Sequence, residues 1–343
     1  MLCSSQSMKL HPVAVFLAWL GLALSIPCAV AKPAEVQVVT TRAEASEVVT
    51  QVHITIDDLP WMIEAGRGIP ATTGVIKERN KKLQHILSEH QVEVSVFFNC
   101  ARVRPGDESI QTWLDGGHIV GNHTWSHARL GAVGPASWLQ DAKRCHDFLE
   151  QAMGVKPVWL RYPYLDYGRD SQSRDLVTKK LAAMGVRTAP VTVATSEWLH
   201  AYIYRKAKRT DDAQLEQQVV EDWHQHMDAS LQAAIDAASL VPGRPVPQTV
   251  LVHMNELVID ELGVLIERWK KHKVRFIGLE QAMSDPVFEQ DNLFEGSAGL
   301  SWLWRIRGAD QYGEYWFGTE QGRVQERFGN PESVDKGAPG PGQ

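Results

Sequence analysis

The chain has no excess of basic charge. Its 35 Lys and Arg against 41 Asp and Glu leave a formal net charge of −6 over 343 residues, so a nucleic-acid partner has no electrostatic support. The one basic cluster, Arg205, Lys206, Lys208 and Arg209, is short and reads as a solvated loop. No apolar run is long enough to be a good membrane span, and no internal repeat is evident. The longest apolar run, 13–24, follows Lys9 and leads to Ala29 and Ala31, which is the layout of a secretory signal. Cleavage is expected after Ala31, Met8 is an alternative start, and Pro27 before Cys28 argues against a lipoprotein site. Cysteine is scarce as well. Only Cys100 and Cys145 remain after that cleavage. They pair in an oxidising compartment or pack as two free thiols. The sequence leaves both open, because pairing needs Cα atoms about 4.4–6.8 Å apart.

What is present is an alternation of short β-branched segments with helical ones. Segments 52–56, 92–98, 118–120, 158–160, 186–193, 249–253 and 274–277 read as strands. Segments 76–90, 108–114, 135–153, 171–184, 211–240 and 259–272 read as helices, with a last helix starting at 279–283. Alternation of this kind implies parallel strands with helical crossovers. About seven strands suit a closed or nearly closed α/β barrel better than an open sheet. The expected organisation is a signal segment 1–31, a polar leader 32–50 and a barrel domain 51–290 with a helical insertion at 202–247. A Trp- and Gly-rich extension, 291–335, and a disordered tail, 336–343, follow.

Chemistry in such a barrel collects where strands end. The first strand ends in Asp57 and Asp58, adjacent carboxylates that repel unless a cation or donor offsets them. After the third come His123 and His127, four apart, a spacing that stacks both imidazoles on one side of a helical turn. Two neutral imidazoles converging on one point can hold a divalent metal. This is not the metalloprotease pattern, since Thr124 and not Glu follows His123. Arg161 closes the fourth strand, and His253 the strand before the penultimate helix. His253 taken alone reads as a core histidine, and Trp198, Trp302 and Trp304 read as core. His224 and His226, two apart in a helix, read as surface.

Taken in order, these strand ends resemble four of the five motifs of the polysaccharide deacetylase family, carbohydrate esterase family 4. The first is similar to Thr55, Ile56, Asp57, Asp58, Leu59 and Pro60. The second is similar to His123 through His127 with its lead-in from Gly117, the third to Arg161, Tyr162, Pro163 and Tyr164, and the fifth to Leu251, Val252 and His253. The resemblance spans roughly residues 52 to 283 and implies a distorted parallel (β/α) barrel. It implies Asp58, His123 and His127 as metal ligands, Asp57 as general base, and His253 as general acid. Arg161 would keep Asp57 charged, and the Tyr164 backbone N–H would stabilise the oxyanion. The cofactor would be a divalent metal, with Zn2+ favoured and Co2+ or Ni2+ fitting the same ligands. The substrate would be an N-acetylated glycan or oligosaccharide.

Two departures stand out. Leu59 replaces the family's usual Gly and is expected to narrow the cleft near the base. The fourth motif has two acids before a Trp; here Ala194 replaces the first, and only Glu197, before Trp198, can hold the acid histidine. Hydrolysis of a smaller amide and glycan binding without turnover therefore stay open beside N-deacetylation. A non-haem iron oxygenase, which also uses two His and one carboxylate, stays open until the metal is known.

Overall fold

Strand β1 (Thr50–Leu59) alternates apolar and polar residues, the pattern of a strand with one wet face, yet it is buried on both faces from Val52 onward. Val52, Ile54 and Ile56 sit in the main hydrophobic cluster. The opposite face, His53, Thr55 and Asp57, meets polar partners: His53 faces Ser95 Oγ at 2.8 Å, and Thr55 donates to the Val250 carbonyl at 2.8 Å. That polar stripe runs toward the functional site.

The computed structural model describes residues 49–62, 73–296, 299–307 and 316–329, the stretch 316–319 as backbone only. The expected signal segment and the disordered tail lie outside these residues, as does all but the end of the leader. After β1 come α1 (Thr73–Glu89), β2 (Val94–Phe98), α2 (Ser109–Asp115), β3 (Ile119–Asn122), α3 (Leu130–Met153), β4 (Trp159–Leu160), α4 (Ser171–Ala183) and β5 (Arg187–Thr188). Then follow α5 (Glu197–Arg209), α6 (Ala213–Leu240), β6 (Gln248–His253), α7 (Glu256–Lys271), β7 (Val274–Phe276), α8 (Leu279–Met283), α9 (Trp302–Arg307) and α10 (Trp316–Phe328).

The sheet is parallel throughout, in the order β5-β4-β3-β2-β1-β6, with β7 paired to the start of β1. It curls until Val193, just past β5, forms a parallel bridge to Val250 on β6. The expected distorted barrel of seven strands is therefore present, closed at one narrow seam. All strands run the same way, so their C-terminal ends share one mouth.

Several local expectations need correcting. Residues 205–209 are the last turns of α5 and not a loop; Lys208 there pairs with Asp260 at 2.9 Å. Residues 279–283 do not begin the last helix, since α9 and α10 follow. Leu59 is fully buried within the main hydrophobic cluster, not set in the cleft wall. His224 and His226 are buried, not on the surface: His224 contacts Glu261 and His226 contacts Glu320. Of the two states left open for Cys100 and Cys145, the structure has the disulfide, with Cα atoms 5.4 Å apart.

Candidate functional site

The site is assembled from strand ends by backbone irregularities. The register of β1 against β2 shifts between Ile56 and Leu59, and Asp58 takes a left-handed conformation at φ 67°. As a result Asp57 and Asp58 approach the same atom. His123 Nε2 lies 3.7 Å from Asp57 Oδ2 and 3.9 Å from Asp58 Oδ1. The two histidines do not share a helical turn as their spacing suggested. They stand on a tight non-helical turn in which Thr124 and His127 both have φ 63°. Short polar side chains hold that turn: Asn122 Oδ1 accepts from the Thr124 N–H at 2.7 Å, and Thr124 Oγ1 from the His127 N–H at 3.1 Å. Strained, non-glycine φ values of this kind persist only where surrounding bonds over-determine them, and they cluster at functional sites.

Asp58, His123 and His127 bring one ligand atom each within 4.8 Å of one another. His123 Nδ1 faces the Arg161 carbonyl at 3.0 Å. A carbonyl can only accept, so Nδ1 carries the proton and Nε2 offers its lone pair to the cluster. Burial lowers both imidazoles to about 4, against the opposing pull of the nearby carboxylates, which leaves them neutral at pH 7. Burial works to raise Asp58, but Arg102, His127 and His123 outweigh it and hold the carboxyl far below the usual range. Its Oδ1 is buried and receives no hydrogen bond, although Arg102 Nη1 lies 2.9 Å away. Two neutral imidazoles and an ionised carboxylate with an orphaned oxygen suit a divalent cation, and three protein ligands leave a position open.

Asp57 is buried beside these groups. Arg161, fully buried, reaches Asp57 Oδ2 at 3.5 Å and is itself fixed by bonds to Thr55 Oγ1 (3.0 Å) and the Ala189 carbonyl (2.7 Å). Across the mouth, His253 sits next to Asp57 in the β1–β6 register. Glu197, the first residue of α5 and fully buried, accepts from the His253 backbone N–H at 3.1 Å and meets His253 Nδ1 at 2.9 Å. Asn255 Nδ2 donates to its other oxygen. Burial alone would lower His253. The hydrogen bond and charge of Glu197, with Asp58 and Asp57 behind them, instead raise it to about 9. Ala194 is buried in the second hydrophobic cluster, so the carboxylate at His253 Nδ1 comes from Glu197. Tyr164 has φ 57° in the 3-10 turn Pro163–Leu165. Its exposed ring lies 4.5 Å from that of His127, with the Arg129 guanidinium 3.9 Å above it.

All eight residues singled out from the sequence therefore line one mouth. Arg102 and Asn255 were missed. Arg102 follows the end of β2, a strand end that carries no motif, and Asn255 lies two residues past His253.

Residues 47–188 match the family model described as polysaccharide deacetylase. Among curated relatives, the peptidoglycan-N-acetylmuramic acid deacetylase PdaC of Bacillus subtilis is 29% identical over 113 residues, which are 33% of this chain and 21% of that protein. Solved structures similar in fold include the polysaccharide deacetylase Bc1974 of Bacillus cereus, with a TM-score of 0.47, 15% identity, and coverage of 67% of this chain and 91% of that one. BA3943 of Bacillus anthracis, a pseudoenzyme of the family, has a TM-score of 0.45 at 18% identity, covering 68% of this chain and 66% of that one. The aligned part spans no more than 35% of the length of the curated relatives it matches.

Proposed function

We propose that this protein is an exported, metal-dependent hydrolase that removes N-acetyl groups from amino-sugar glycans. One observation carries the proposal: two neutral histidines and an ionised aspartate converge beside a second buried carboxylate, with a protonatable histidine across the mouth. PdaC, named for acting on peptidoglycan N-acetylmuramic acid, supports glycan as the substrate class. The Cys100–Cys145 disulfide supports an oxidising compartment.

Asp58, His123 and His127 would hold the cation. When bound, it supplies Lewis acidity and lowers the pKa of water toward about 7. Zn2+ is favoured by the donor set, and Co2+ and Ni2+ fit it as well. Asp57, held by Arg161 at 3.5 Å, takes a proton from the attacking water. The water oxygen forms a bond to the amide carbon, and the carbonyl oxygen becomes an oxyanion that accepts from the Tyr164 backbone N–H. His253, protonated and oriented through Nδ1 by Glu197, delivers a proton from its other ring nitrogen to the amide nitrogen. The C–N bond then breaks, giving acetate and a free amine.

Acetate release from a panel of N-acetylated glycans and small amides, with and without chelator, tests this reading. Chelator-sensitive release from glycans is expected, and Asp57→Asn should keep the metal and lose turnover. Normal turnover in Asp57→Asn would remove the base assignment; preference for small amides would move the substrate class. A second reading, glycan binding without turnover, has one observation in its favour: Arg102 stands 2.9 Å from the very oxygen of Asp58 that a cation would need. Wild-type protein that binds glycan, takes up no metal and releases no acetate would establish it.

A further inference from the structure

The start of α5 is held in an unusual way. Ser196 is its N-cap, yet its side chain caps nothing, and its buried Oγ has no hydrogen-bond partner. The first N–H groups of a helix need acceptors from elsewhere. Here the Ser196 N–H donates to His226 Nε2 on α6 at 2.9 Å. His226 Nδ1 faces Glu320 Oε2, on α10, at 3.2 Å. A carboxylate accepts, so Nδ1 carries the proton and the Nε2 lone pair receives the Ser196 N–H. The carbonyl of the same residue faces His200 Nδ1 at 3.3 Å, and His200 Nε2 meets Asp222 Oδ2 at 2.9 Å. Arg323 binds Asp222 at 2.9 and 3.0 Å, and Arg327 joins it. His200, His226 and Asp222 are each 1% exposed or less. Burying so many polar groups is costly unless every one is satisfied, and the residue on which this network converges immediately precedes Glu197.

We infer that His226 is a positioning residue for the general acid: it fixes Ser196, and so the carboxylate of Glu197, against His253, while Glu320 on the C-terminal helix sets its tautomer. The inference rests on the reading of His253 as the acid. Glu197 is the carboxylate on His253 Nδ1, and the fourth-motif acid that Ala194 replaces cannot share the task. Whatever fixes Glu197 therefore fixes the acid. The links run α10, His226, Ser196, Glu197, His253, each joined to the next by one hydrogen bond or one peptide unit. They tie the insertion and the C-terminal extension to catalysis without touching the metal side.

A leaving amine needs a proton and a nitrophenolate does not, so a pair of substrates separates positioning of the acid from general damage. The experiment uses the full chain, metal-loaded, with an N-acetylglucosamine oligomer and a nitrophenyl acetate as substrates. His226→Leu should lower kcat on the amide by about tenfold or more. KM, metal content and kcat on the ester should stay unchanged. His226→Gln, which offers an amide oxygen where Nε2 accepts, should restore amide turnover, and Glu320→Leu should reproduce the amide-specific loss in weaker form. Equal losses on both substrates, or none on the amide, in His226→Leu overturn the inference; if that variant does not fold, Glu320→Leu decides on the same criterion. Wild-type protein that hydrolyses no amide would remove the proposed activity instead. The positioning is then read from the nitrogen NMR signals of His253: a shift in the His226 variant supports it, and unchanged signals overturn it.

Discussion

His127 and His253 face each other across the mouth of the barrel with nearly equal cover, their side chains 14% and 18% exposed. Burial pushes both down, yet one ends at about 4 and the other at about 9. Both lie near Asp58, so the shared aspartate does not separate them. What does is the hydrogen bond that His253 Nδ1 donates to the Glu197 carboxylate, while Arg102 and Arg129 add positive charge around His127. Neighbours, more than depth, decide which imidazole is held neutral and which keeps its proton. Divergent titration of paired groups is a mark of assigned acid and ligand roles.

The largest effects should come from breaking the metal wall. Asp58→Asn and His127→Ala are expected to lose the cation and with it all glycan turnover, read by elemental analysis beside acetate release. Asp57→Asn, one residue away, should retain the cation and lose turnover by about 10²–10⁴-fold. Full metal occupancy in His127→Ala would break the distinction between the walls. On the opposite wall, Glu197→Gln should leave metal content intact and lower kcat by about 10²-fold. The acid must be protonated, so kcat in the wild type should fall as pH rises through about 9. Without the Glu197 charge that limb moves toward the unperturbed value near 6.5; a limb that stays in place would show that Glu197 does not tune His253.

The cluster of Asp57, Asp58, His123 and His127 was legible in the sequence because its residues sit in short spacings at strand ends: Asp57 with Asp58, and His123 with His127. The barrel was legible because strand and helix segments alternate. The shape of the turn that gathers the histidines was not, since it depends on left-handed Thr124 and His127 and on side-chain bonds from Asn122 and Thr124. The Glu197–His253 pair was legible only in part. Glu197 and His253 lie 56 residues apart, and their supports on α6 and α10 come from still more distant segments. His226 was read as surface because spacing alone gives the direction of a side chain and not what packs over it; α10 does so here. Arg102 had no pattern to announce it.

Arg102 gives a prediction of intermediate size. A guanidinium 2.9 Å from Asp58 Oδ1 and a dication draw on the same oxygen and repel each other. Arg102→Met is therefore expected to tighten Zn2+ binding by about tenfold in a calorimetric titration, a change of about 1.4 kcal/mol. Weaker binding would mean that Arg102 orients the carboxylate, as outer partners of metal ligands do, and would place it among the supports of the site.

The smallest effect is on stability, and it opposes the two walls in sign. In chelator-treated protein, folding raises His253 from 6.5 to about 9. Its contribution is fully present below pH 6.5 and is lost as pH rises through about 9, because the folded state then holds a proton that the unfolded state has released. His123 and His127 are lowered from 6.5 to about 4. Their contribution is present above pH 6.5 and is lost as pH falls toward 4, where the unfolded state takes up protons first. Calorimetric Tm measured from pH 5 to about 10 on chelated protein should therefore fall on both sides of neutrality. Glu197→Gln should flatten the alkaline side alone, since it leaves the ligand histidines and their surroundings in place. Zn2+ should act on the acid side, where it competes with protons for the same two nitrogens. An alkaline slope identical in wild type and Glu197→Gln would mean that the Glu197–His253 bond tunes neither stability nor proton affinity, and the contrast between the walls would reduce to geometry.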